Sequence, residues 1–357
     1  MAESNPLPLW MWPKRLARSL LSHGPLYALA RLRALKGNAV TILMYHTLRH
    51  DDEAFDAWTI VRRSDFQRQI DWLRRHYAVV SLDEVLDARD GDGSRPRAVI
   101  TFDDGEAGLY EHLLPIVERE HLPVTVYVAT GQIESTKPYW FDRVMNAMQV
   151  TGPAVLDLAA VGLGCWSLDG SVGERAWRTT GSVLEALKAL PPVTLEAASE
   201  RIVAALAAVP GRRITPLAPL SLPQLRALAA SRWVTIGAHT HGHCLLDQIP
   251  LADASASIEQ SRRLLRNWTG QAITHFAYPN GNHNEALVRE VERLGFHSAM
   301  ATGKGLWRPG DGRFAMQRVP VGRYDEIDKF RLDLLGGVQA AFVSAPAAGA
   351  SVSARTD

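Results

Sequence analysis

The sequence predicts an α/β fold whose parallel sheet closes into a barrel. Two observations carry that reading: strand-like runs alternate with helical stretches, and polar residues able to bind metal or move protons stand where four of those runs end. The runs are "NAVTILMYH" (38–46), "YAVVSL" (77–82), "RAVITF" (97–102), "PVTVYVAT" (123–130), "WVTIGAHT" (233–240), "AITHFAYP" (272–279), "FHSAMAT" (296–302) and "FAMQRVPV" (314–321). Short apolar runs of this kind suit strands buried on both faces. Amphipathic stretches such as 64–76 and 252–269 supply the intervening helices. Eight strands around one site favour a barrel over an open sheet.

Residues 134–220 break the alternation. "YWFDRV" leads into a Gly- and Ala-rich stretch, Ala-rich helices follow at 183–190 and 194–208, and "PGRRITPLAPL" closes the segment. It reads as a mostly helical insertion within a domain spanning 38–325. The small, polar tail over 344–357 reads as disordered.

The 39 basic and 38 acidic residues leave no excess charge to meet nucleic-acid phosphates, so nucleic acid is not expected as a partner. With only Cys165 and Cys244, neither a disulfide framework nor a four-thiolate zinc site can form, which fits a reducing, cytoplasmic setting. No stretch reaches the roughly 18 apolar residues of a membrane span, and the amino terminus lacks a secretory apolar core. Its charge is one-sided. From Asn5 to His50 stand Lys14, Arg15, Arg18, Arg31, Arg33, Lys36 and Arg49 with no acid, and Trp10, Trp12, Leu16, Leu20 and Leu21 are spaced among them. Two readings of the segment 1–37 stay open. Either residues 8–36 lie on an anionic membrane surface, placing the chain on the membrane's inner face, or the segment is a helix packed on the domain.

The strand ends carry the chemistry. Tyr45 and His46 follow the first run, Asp103 and Asp104 the third; "HTHGH" (239–243) follows "WVTIGA", and "YPNGNH" follows "THFA". His239 and His243 are four residues apart, a spacing that a helical turn would place on one side. With one carboxylate they form a two-histidine, one-carboxylate set that leaves positions open for water and substrate. His241 lies between them and is free to point away. The adjacent aspartates, which elsewhere would be an ordinary polar turn, fit this set: successive residues leave a strand in different directions, so one binds the metal while its neighbour faces the reacting water.

"TFDDG", "HTHGH" and "YPNG", in this order and context, resemble the polysaccharide deacetylase (NodB-homology) family, carbohydrate esterase family 4, over about residues 39–130 and 221–325. "LMYHTL" and "FAYPNG" are similar to the exopolysaccharide-deacetylase branch. The resemblance implies a distorted (β/α)7–8 barrel that uses one divalent cation, zinc first and Ni, Co or Fe as alternatives. It implies hydrolysis of N-acetyl groups on an N-acetylated glycan. Carried over by position, Asp103 is the general base and Asp104, His239 and His243 are the metal ligands. Thr240 supports the loop, and Tyr278, Pro279, Asn280 and Gly281 line the groove, with the Asn280 N–H at the oxyanion. Two departures stand out. Ala277 occupies the place of an arginine that pairs with the base, for which Arg318 is the replacement candidate. No late Leu-x-x-His motif follows residue 321, so His46 is the candidate general acid. A deacetylase or deformylase of a lipid-linked sugar, and a non-catalytic carbohydrate-binding protein, are the other readings.

Overall fold

The computed structural model describes residues 18–34, 38–87, 95–150, 152–207, 214–303 and 305–335. Its strands are β1 (Val40–Tyr45), β2 (Thr47–Arg49), β3 (Ile60–Arg62), β4 (Ala78–Val79), β5 (Arg97–Phe102), β6 (Val124–Val128), β7 (Ala154–Asp157), β8 (Cys165–Leu168), β9 (Val234–Ala238), β10 (His275–Ala277), β11 (Ser298–Met300) and β12 (Val319–Pro320). The eight runs read from the sequence become one parallel sheet in the order β11-β10-β9-β6-β5-β1-β12, with β4 paired to β5. β5, which delivers the two aspartates, runs beside β1 along its whole length. Its other edge is shared: β4 pairs at Arg97 and Ala98, and β6 takes over at Thr101 and Phe102.

The barrel closes irregularly. Residues 313–318 run beside β11, with the Met316 N–H donating to Ala299 O (2.9 Å), Ala301 N–H to Met316 O (2.8 Å) and Gly303 N–H to Arg318 O (3.2 Å). Only then does the chain become β12 and pair with β1. β12 is short, and just past it the Val321 N–H still donates to Met44 O (2.9 Å).

Two faces of the same strands build two cores. Leu43, Tyr45, Ile100, Phe102, Val126 and Phe276 face outward onto helices such as Arg63–His76 and Leu251–Thr269. Val40, Ile42, Val99, Tyr127, Ala277 and Met300 face inward. The alternation continues past the end of β5, so Asp103 follows Val99 and Thr101 toward the barrel interior.

A separate core holds the segment between β6 and β9. Helices Trp140–Val150, Glu174–Lys188 and Pro192–Ala207 pack around Met145, Met148, Val183, Leu187 and Ile202, and rest on Phe55, Ala57 and Ile60. The segment is largely helical but also contains an antiparallel hairpin, β7 with β8. Its pairs are half-exposed, and its turn uses Gly162 and Gly164 at positive φ (77° and 66°). A surface hairpin of this composition has no buried alternation to betray it.

Helix Pro25–Ala34 packs through Tyr27 and Ala30 on Leu332 and Leu335, and Tyr27 Oη donates to Arg331 O (3.2 Å). The rest of the basic segment (1–17 and 35–37) and the tail 344–357 lie outside the described residues. No described helix is long and apolar enough to cross a membrane.

Candidate active site

Asp104, His239 and His243 meet at one point. Asp104 Oδ1 lies 3.1 Å from His243 Nε2 and 3.3 Å from His239 Nε2. About 3.3 Å is the edge of a tetrahedron drawn around a cation some 2.0 Å from each ligand. The protonation pattern fits too. His239 Nδ1–H donates to Ala277 O at 2.7 Å, leaving the Nε2 lone pair for a metal. Ala277, which replaces the expected arginine, thus contributes its carbonyl.

The loop "HTHGH" is not a helical turn. Thr240 and His243 both adopt left-handed backbone (φ 64° and 52°), and Thr240 Oγ1 accepts the His243 N–H at 3.0 Å. This fold of the loop, rather than helical spacing, brings the two rings to 4.9 Å between centroids. His241 turns away, its Nδ1 3.0 Å from Thr130 Oγ1. Asp104 and Asn280 are also left-handed (φ 74° and 56°). Such backbone costs of order 1–3 kcal/mol per residue, and four instances at one set of strand ends mark a site held by its surroundings.

Asp103 points into the barrel and meets Arg318 as a two-pronged ion pair, Nη1–Oδ1 and Nη2–Oδ2 both 2.7 Å. Arg318 is itself fixed by Ala301 O (3.1 Å) and Thr101 Oγ1 (3.1 Å), and is fully buried. Burial alone would raise the Asp103 pKa; Arg318 and His239 override it and hold the carboxylate below its usual range. For Asp104 the balance is the same, with the neighbouring imidazoles of His239 and His243 outweighing burial and holding it well below. Burial lowers His46, despite both aspartates, and leaves its Nδ1 buried without a partner.

These groups line a cavity of about 520 Å³ that takes in His46, Asp103, Asp104, His239, His243 and Asn280. The "YPNG" stretch is placed differently from the expectation that all four residues line the groove. Only Asn280 reaches the cavity. Tyr278 is buried, its hydroxyl donating to Phe314 O (2.9 Å), and Pro279 is buried behind it. Gly281 turns the loop at φ 77°, where a Cβ would strike Thr302.

Reading the residues missed other parts of the cavity. Glu106 lines it with its carboxyl pushed up to about 8, by burial first and then by Asp104. Asp142 is raised well above the usual carboxyl range, by burial and then by Glu106 and Asp104. A third acid three residues after Asp103, and "YWFDRV" itself, were the available signals. The insertion adds Trp140, Phe141, Trp177 and Lys188.

Two histidines and a carboxylate beside an arginine-held second carboxylate form a donor set that could hold a metal ion and suits a hydrolase. The family description "Polysaccharide deacetylase" matches residues 90–157 and 188–299. The chain belongs to that family. The poly-β-1,6-N-acetyl-D-glucosamine N-deacetylase of Staphylococcus epidermidis is 29% identical over 112 residues, which cover 28% of this chain and 39% of that protein. A putative polysaccharide deacetylase of Bacillus subtilis, YxkH, is 27% identical over 92 residues, 26% of this chain and 33% of its own length. Among solved structures, the Streptococcus pyogenes deacetylase PplD in complex with acetate overlays with a TM-score of 0.54 at 17% identity, covering 84% of this chain and 99% of that one. IcaB from Ammonifex degensii gives 0.53 at 17% identity, covering 84% and 98%. At that identity the two overlays establish the shared barrel fold.

Proposed function

We propose that this chain is a metal-dependent hydrolase that removes N-acetyl groups from aminosugar-containing glycans. The observation that carries the reading is the Asp104–His239–His243 set in one cavity with the Arg318-paired Asp103. A divalent cation at that set supplies a Lewis acid for an amide oxygen and acidifies water; zinc suits the nitrogen and oxygen donors, with nickel, cobalt and iron as alternatives. Asp103 takes the proton of the attacking water, and Arg318 keeps it ionised and aimed. The Asn280 N–H steadies the oxyanion, Thr240 holds His243 in place, and His46 hands a proton to the departing amine. Removing one ligand tests the set: His243→Ala should lose most bound metal by elemental analysis of the purified protein. Full occupancy in that variant contradicts the assignment.

His46 has its own test. An amide nitrogen leaves only when protonated, whereas an aryl oxide needs no proton. His46→Ala should therefore keep its metal, lose roughly 10² or more of turnover on an acetamido sugar, and lose much less on an aryl acetate. Equal losses on both substrates would make His46 a structural residue. Because burial lowers its pKa, the donor form is depleted as pH rises, so the wild-type acetamide rate should fall on the alkaline side while the aryl acetate rate does not.

The amino-terminal segment supports docking on the anionic inner face of a membrane. With Tyr27 and Ala30 turned to the domain, Leu20, Leu29 and Leu32 stay 70%, 47% and 68% exposed on a stretch rich in basic residues. Each basic side chain near such a surface is worth about 1 kcal/mol. The chain should sediment with anionic vesicles and not with neutral ones, and Leu29→Glu with Leu32→Glu should release it. Binding unchanged in that variant argues for a plain packing helix.

A further inference from the structure

The cavity has two unlike walls. Around the metal ligands the barrel contributes His46, Asp103, Asp104 and Glu106 together with Met44 and Trp58, whereas the insertion brings Trp140, Phe141, Trp177, Leu184, Leu190 and Leu195, with Glu185, Lys188 and Glu196 among them. Sites that grip sugar chains use flat aromatic faces and hydrogen-bonding groups, because a sugar ring has one apolar face and a rim of hydroxyls. The three leucines offer neither. They match an alkyl chain, for which each buried methylene contributes about a fourfold gain in affinity.

The insertion is also tied down on both sides of the metal ligands. Tyr139 Oη donates to His241 O at 2.6 Å, on the loop after β9. Lys188 Nζ donates to Asn280 Oδ1 at 2.9 Å, on the loop after β10. The two ties hold the segment between Tyr139 and Lys188 to the loops that carry His241 and Asn280. Trp177 and Leu184 moreover fall in residues 158–187, the stretch left unmatched between the two segments of the family description. The other four wall residues, Trp140, Phe141, Leu190 and Leu195, lie within the matched segments.

We propose that the substrate is amphiphilic: an N-acetylated aminosugar carrying an apolar aglycone, with the acetamido group at the metal ligands and the alkyl chain against the insertion. The inference rests on the deacetylase reading and leaves the reaction unchanged. Water's oxygen goes to the acetyl carbon, the C–N bond breaks, acetate leaves, and the nitrogen takes a proton.

The test uses the metal-loaded full chain and three probes: methyl and octyl N-acetylglucosaminide, both below micelle-forming concentration, and a water-soluble N-acetylglucosamine oligosaccharide. The octyl glycoside should exceed the other two at least tenfold in kcat/KM, with the gain over the methyl glycoside carried by KM. Leu195→Asp should bring the octyl-to-methyl ratio toward one. Equal rates for octyl and methyl glycosides, or preference for the oligosaccharide, overturn the inference and leave the deacetylase reading standing. If none of the three releases acetate, the deacetylase reading falls and this inference with it.

Discussion

Asp103→Asn should keep its metal and lose roughly 10² to 10⁴ of turnover, the usual contribution of a general base. The amide has nearly the same volume and offers one oxygen to Arg318, while its nitrogen meets the second guanidinium N–H, so one arm of the fork is lost. What disappears is the charge that accepts the proton of the attacking water. Metal content separates the two aspartates, because Asp104 Oδ1 is the oxygen that both histidines approach (3.1 and 3.3 Å), whereas both Asp103 oxygens are engaged by Arg318. Metal and activity lost in equal measure would mean that the two roles are reversed.

Arg318→Met should be the most destabilising single change at the site. The arginine is fully buried and forks a buried carboxylate, and removing one partner of such a pair typically costs about 3–5 kcal/mol because it strands the other charge. The pH behaviour follows from the direction of the shift. With its folded pKa depressed, Asp103 adds stability that is present above the ordinary carboxyl range and is lost as the pH falls through the folded value. Without Arg318, burial pushes that carboxyl upward. The acid limb of the kcat/KM profile should then move to higher pH, and denaturant melts near neutral pH should show the lost stability. An unmoved acid limb would show that Arg318 does not govern the ionisation of Asp103.

The barrel strands were legible because they are buried on both faces, so "VTILMY" and "RAVITF" read as continuous apolar runs, and their carboxyl ends are where a barrel gathers its chemistry. Arg318 was legible for a different reason. The resemblance offered it as the replacement for the arginine absent at Ala277, and its buried pairing with Asp103 is what lets a charge stand amid the apolar residues of "MQRVPV". The β7–β8 hairpin was hidden by its exposure. The approach of His239 to His243 depends on left-handed backbone at Thr240 and His243, residue types that do not announce it as glycine would. Tyr278 illustrates the limit of motifs: Asn280, two residues on, reaches the cavity, while the Tyr278 ring is buried with its hydroxyl on Phe314 O. Glu106 reaches the cavity from the end of β5, whereas Asp142 and the insertion's wall belong to a segment that packs on Phe55, Ala57 and Ile60.

The most direct measurement is acetate and free amine released together from an N-acetylated aminosugar by the purified chain, before and after chelation and after a divalent cation is restored. Equal amounts of the two products, loss of both on chelation, and their recovery with the cation, zinc foremost, are the expected result. Release that continues undiminished in metal-free protein, or no release from metal-loaded protein on any acetamido sugar, would contradict it.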